Sequence, residues 1–336
     1  MKKILFSVLA GAFFFSCSNT NDDLPVNTDE KYLDGIFVSN EGNFTKGNAT
    51  SSFINGNLST ITNDIFKLSN GRSLGDVSQH MVVTDKYVFI IMNNSNTIEV
   101  VNKKTFKLVY TITQNVSSPR FATVKNNKLY VTSLFNAEVN VYNTDTFAFI
   151  KTINLNHTAE QIVATDNYIY AANGFYSGGT TLEVINPETD TNTTDVNINQ
   201  AINNIATNGQ NVFVLSANDT TSSISIVSNN SVLTTKVLNQ PIARNLVSYT
   251  NYLYYTAGTG VYKINNDLTT ESSKLFNVAD GDEYSIFYGF NVINGSIFTA
   301  DAKGFADNSK IVIYKENGTI INEFNAGIGT NGFYKF

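Results

Sequence analysis

The chain repeats itself, and the period of the repeat limits what it can fold into. A short apolar run between turn residues returns seven times, centred on Ile36, Val88, Leu129, Ile169, Val212, Leu253 and Ile297. The spacings are 52, 41, 40, 43, 41 and 44 residues. A period of about 40–45 residues rich in β-branched and aromatic side chains is that of four-stranded propeller blades. The runs are apolar on consecutive residues, as in Val88-Phe89-Ile90-Ile91-Met92, which predicts strands buried on both faces between packed blades. An alternating strand follows several of them, for example Thr97-Ile98-Glu99-Val100, Glu138-Val139-Asn140-Val141 and Thr181-Leu182-Glu183-Val184. A fourth, more polar strand comes next, as at 107–113 or 320–325.

A further strand precedes six of the seven landmarks at a fixed offset. Met81, Ala122, Ile162, Ile205, Leu246 and Phe290 each stand seven residues before their landmark. The first repeat lacks this strand, and the chain end supplies one: Asn331-Gly332-Phe333-Tyr334-Lys335-Phe336 has the same character with no repeat after it. A solenoid has no use for an orphan strand. A ring does, because a C-terminal strand completing blade one leaves no open edge. The fold class expected is all-β, a seven-bladed β-propeller over residues 34–336.

Composition supports this and removes other classes. With 336 residues, 42% hydrophobic and 15% charged, the chain can bury a large core. The 48 asparagines suit many tight turns, since Asn tolerates left-handed backbone. A net charge of −6 offers no basic patch for phosphates, so nucleic acid is not an expected partner. The single Cys rules out an internal disulfide framework.

That Cys has its own meaning. Lys2 and Lys3 followed by apolar 4–15 read as a signal peptide over residues 1–16, too short to span a bilayer permanently. The segment ends at Phe14-Phe15-Ser16-Cys17, where a small residue precedes the only thiol, as in a bacterial lipobox. Cys17 is therefore the expected lipidation site, although an ordinary secretory signal with an incidental Cys has the same outline. Residues 17–33 are polar and unpatterned, a lipidated tether. The expected location is the outer membrane, held by lipid and facing outward, since Asp22 and Asp23 close behind the Cys resemble a surface-export signal. Loss of Lys2 and Lys3 takes the net charge from −6 to −8.

Motifs for catalysis are scarce. Gly327-Ile328-Gly329-Thr330-Asn331-Gly332 matches a dinucleotide fingerprint but opens onto the chain end with no helix to receive a phosphate, and is a loop. His80 and His157 lie in different blades with no Cys cluster or second His near either, so hydrogen-bonded structural roles are expected and no metal site. One face carries more. In a propeller, the turns into innermost strands and the second-to-third-strand loops surround the channel mouth. The residues nine before each landmark are Gln79, Arg120, Glu160, Asn203, Arg244 and Tyr288, with Asn331 equivalent. A water-filled mouth explains their polarity; two arginines with a glutamate suggest a recognition ring. The longer loops of this face carry Phe44, Phe175, Tyr176 and Phe305, which extends the candidate ligand-binding set.

The phrases Gly35-Ile36-Phe37-Val38-Ser39-Asn40-Glu41-Gly42-Asn43-Phe44, Gly75-Asp76-Val77-Ser78-Gln79-His80-Met81, Ser118-Pro119-Arg120-Phe121, Glu160-Gln161-Ile162-Val163 and Tyr288-Gly289-Phe290-Asn291-Val292, with Thr299-Ala300-Asp301-Ala302, carry a resemblance. The chain resembles the YncE-like propeller lipoproteins of Bacteroidota over nearly all of the mature sequence. Within them it is similar to the BtuG-type surface proteins. The resemblance implies a non-enzymatic binding protein without cofactor, which captures a cobamide of the vitamin B12 type and passes it to a TonB-dependent outer-membrane transporter. The mouth is chemically compatible: Asn and Gln pair with amide arms in both directions, and Arg120 or Arg244 would hold the nucleotide-tail phosphate. Two alternatives stand beside it, an adhesive or protein-binding surface propeller and a lactonase-like propeller enzyme.

Overall fold

In the computed structural model, residues 30–174, 178–278 and 285–336 are described. The strands among them form seven four-stranded antiparallel sheets. Six are consecutive in sequence, starting from innermost strands Ser78–Val83, Pro119–Lys125, Ile162–Ala164, Ile202–Thr207, Arg244–Tyr249 and Gly289–Ile293. The second strands, among them Tyr87–Met92 and Val212–Ala217, are almost wholly buried, because each is sandwiched between neighbouring blades. The fourth strands, such as Ser231–Leu238, are largely exposed. The seven-bladed propeller is the observed fold.

Blade one is closed as expected. Thr330–Lys335 pairs antiparallel with Gly35–Asn40, setting Val38 opposite Phe333 and Ser39 opposite Gly332. Phe333, 1% exposed, packs on Phe298 of blade seven with ring centroids 5.4 Å apart. The long first spacing has a cause the repeat pattern did not show. Blade one's outer strand is only Ile61–Thr62, and a short helix, Ile65–Asn70, follows and buries Ile65 and Phe66.

The asparagines do two jobs. In the third-to-fourth-strand turns the side chains of Asn55, Asn102 and Asn143 accept backbone N–H bonds, and Leu58, Phe106 and Phe147 close these turns at φ of 59°, 54° and 61°. Elsewhere asparagines tie blade to blade: Nδ2 of Asn203, Asn245 and Asn291 each donates to a backbone carbonyl of the next blade, Ala243, Phe287 and Phe333. The composition pointed only to turns.

The N-terminal segment joins the ring at a defined place. Lys31 and Tyr32 N–H groups both bond Lys104 O, and Tyr32 is buried against Phe53 and Phe106. The signal peptide over 1–16, Cys17 and most of the 17–33 tether lie outside the described residues. No helix among the described residues is long and apolar enough to cross a membrane.

Candidate functional site

Five of the seven innermost strands, those of blades one, two, three, five and six, have a register shift near the mouth. In blade two, Ser78 pairs with Met92 and His80 with Ile91, so Gln79 is an extra residue. The same happens at Asn203 in blade five and Asn331 in blade one, while a register shift spans Arg120 in blade three and another follows directly after Arg244 in blade six. A β-bulge re-aims side chains and bends the strand. All seven residues chosen by spacing line one cavity of about 400 Å³ at the channel axis.

Much of their hydrogen bonding links one blade to the next. Arg120 Nε donates to Glu160 Oε2 at 2.8 Å, and its Nη1 donates to Gln79 Oε1. Asn331 Nδ2 donates to the carbonyls of Ser78 and Gln79 at 2.9 and 3.1 Å. Tyr288 Oη donates to Glu41 Oε2. An arc thus runs from blade seven through blades one, two and three to blade four. Arg120 is held by the Glu160 carboxylate, and Arg244 is the second arginine lining the same cavity.

Glu41 belongs to this site and the spacing rule missed it, because it sits after blade one's second strand rather than before an innermost one. Burial raises its carboxyl above the ordinary 4.5, opposed by the Tyr288 hydroxyl and the Arg120 charge. Glu160 is raised for the same reason, burial, with Arg120 opposing. His80 also lines the channel, packed against Phe121 and Tyr334, and burial pushes it down to about 4, so it is neutral at physiological pH.

A second cavity of about 610 Å³ opens beside the first and shares Arg120 and Glu160 with it. Phe44 and Phe135 stand at its edge, 67% and 74% exposed, and Glu41, Val77 and Leu134 complete much of its wall. Phe44 was expected there. Phe135 was not: its loop in blade three is short, and ranking loops by length passed over the Leu134-Phe135 pair. Phe305 does a different task, with its ring edge-on to Tyr288 at 4.9 Å and its carbonyl accepting from Asn43. Gly329, at φ 64°, leaves room for it, since a Cβ there would come within 2.6 Å of the Phe305 ring. Phe175 and Tyr176 lie outside the described residues.

The fold also gathers groups around His157 that the sequence kept apart. Nδ1 of His157 lies 2.8 Å from Glu183 Oε1, with Asp195 close by. Glu183 is fully buried and already accepts from the Asn156 and His157 N–H groups and from Asn192 Nδ2. It caps the loop leading into blade four, which accounts for its burial.

Comparison with known proteins agrees with the architecture. The model of the family described as a domain of unknown function, DUF5074, matches residues 34–327. No curated protein matches the sequence. A quinonprotein alcohol dehydrogenase-like protein from Bacteroides thetaiotaomicron superposes with a TM-score of 0.70 at 14% identity, covering 90% of this chain and 78% of that one. A functionally unknown protein from Desulfotomaculum acetoxidans gives a TM-score of 0.70 at 13% identity, covering 90% and 99%. Virginiamycin B lyase from Staphylococcus aureus gives 0.57 at 13% identity, covering 73% and 82%. At such identities the likeness is one of fold.

Proposed function

Since the chain belongs to the DUF5074 family, whose function is unknown, we propose from the mouth itself that this propeller is a non-enzymatic binding protein for a small, amide-rich ligand of the cobamide type. The observation that carries the reading is the convergence of seven polar side chains, one from each blade, on a single cavity adjoining a second one edged by exposed aromatics. Together the cavities have the size of a site for a ligand larger than a simple metabolite. The inter-blade hydrogen bonds fix the ring before ligand arrives, so little ordering entropy is lost on binding. Glutamine, asparagine and the Arg120–Glu160 pair offer donors and acceptors in near balance, which suits a ligand fringed by neutral amides. Arg244 serves an anionic tail.

With Cys17 acylated, the protein is a surface lipoprotein that hands its cargo to a TonB-dependent outer-membrane transporter, as its resemblance to the BtuG-type proteins suggests. Titration calorimetry of the purified protein with cyanocobalamin tests the cargo. Measurable saturable heat supports it, and its absence retires the cobamide. A second reading, a protein-binding platform, is favoured by one observation: the outer strand Ser231–Leu238 exposes Val232, Leu233 and Val237.

A further inference from the structure

Glu160 poses a question that the inter-blade network does not answer. The residue is only 8% exposed, and its Oε2 accepts from Arg120. Its Oε1 is buried with no hydrogen-bond partner among the described residues. A buried acceptor left unmade is costly, and native structures seldom leave one without a purpose. Glu160 lines both cavities, and in the second it shares the wall with Phe44 and Phe135. Exposed aromatic pairs beside a buried acceptor are the parts of a site for a flat body bearing one N–H group at its edge.

Charge narrows the class. Arg120 compensates Glu160, so this pair brings no net charge to the cavity wall. A carboxylate ligand would set oxygen against oxygen. We propose that the Phe44–Phe135 cavity is a subsite for an uncharged carboxamide attached to a flat apolar body, whose N–H donates to Glu160 Oε1. This rests on the mouth being a ligand site and adds which chemistry this part of it takes. Phe135 and Glu160 determine that specificity.

Benzamide and benzoate are the probes, matched in shape and differing in the donor. Ligand-observed NMR on the purified protein is expected to show benzamide binding at least about tenfold more tightly than benzoate, the effect of one good hydrogen bond against one repulsion. Phe135→Ala, at an exposed position that folding does not need, is expected to weaken benzamide about tenfold. Glu160→Gln is expected to abolish the preference for benzamide. Equal binding of the two probes, no binding of benzamide, or unchanged binding by the Phe135 variant overturns the subsite. Cyanocobalamin titrated in parallel separates the two questions: cyanocobalamin bound without benzamide preference overturns only the subsite, and the reverse overturns only the cobamide.

Discussion

Arg120 and Glu160 stand forty residues apart in sequence and meet Nε to Oε2 at 2.8 Å across the joint between blades three and four, each side chain 11% exposed. Removing one partner of a buried pair leaves an uncompensated charge. Arg120→Ala should therefore destabilise the propeller by up to about 3–5 kcal/mol, and Glu160→Gln added to it should recover much of the loss. Denaturant unfolding of the single and double variants checks this. Equal stability of Arg120→Ala and wild type would mean that the pair is solvated.

Arg244, the other arginine of the ring, tests anion binding. Its replacement by Ala should weaken a phosphate-bearing cobamide by roughly ten- to a hundredfold, from a charge-assisted bond of about 1.5–3 kcal/mol. Lys107→Ala, on the exposed far side of blade two, should leave affinity unchanged. Calorimetry on both variants decides, and equal losses would point to general charge attraction instead.

The two buried glutamates set a pH dependence. Burial raises Glu41 and Glu160 above 4.5, so the folded state holds these protons more tightly than the unfolded chain does. Stability from them is present at low pH and is lost as pH rises from 4.5 through the raised values. Each contributes a slope of at most about 1.4 kcal/mol per pH unit. Melting temperature followed through weakly acidic pH should fall less steeply in the Glu41→Gln, Glu160→Gln double variant. An identical profile would place the titrating groups elsewhere.

Closure of the ring can be weighed through one side chain. Phe333→Ala should cost about 3–5 kcal/mol, as for other fully buried aromatics. Deleting residues 331–336 should cost more, since blade one then loses its inner strand. A truncated chain that melts with wild type would remove the closure.

At the other end, Cys17→Ala should abolish labelling by radioactive palmitate and release the protein from membrane fractions. Palmitate missing from the wild-type protein would refute lipidation at this position.

The blades were legible because burial on both faces forces consecutive apolar residues, and the seven landmarks from Ile36 to Ile297 all fall in second strands. The mouth ring was legible too, since a fixed offset from a buried landmark fixes height along the strand. Helix Ile65–Asn70 was not: six residues with two buried side chains leave too short a pattern. Glu41 and Phe135 escaped for a different reason. Both owe their place to neighbouring blades, Glu41 to Tyr288 of blade seven and Phe135 to the cavity reaching blades one and four. Relations between blades have no period within a blade.

The bond from Lys31 and Tyr32 to Lys104 has a directional consequence. Lys104 lies in a third-to-fourth-strand turn, and those turns share a face with the first-to-second-strand turns, as the Lys103 N–H bond to Lys86 O shows. The mouth is on the reverse. The polypeptide therefore enters the disc on its back, and Phe336, bonded to Gly35 O, ends there as well. An attachment through the N-terminus would therefore reach the ring on the face opposite the mouth. The mouth would stay clear of that attachment, open to whatever arrives from the other side of the disc.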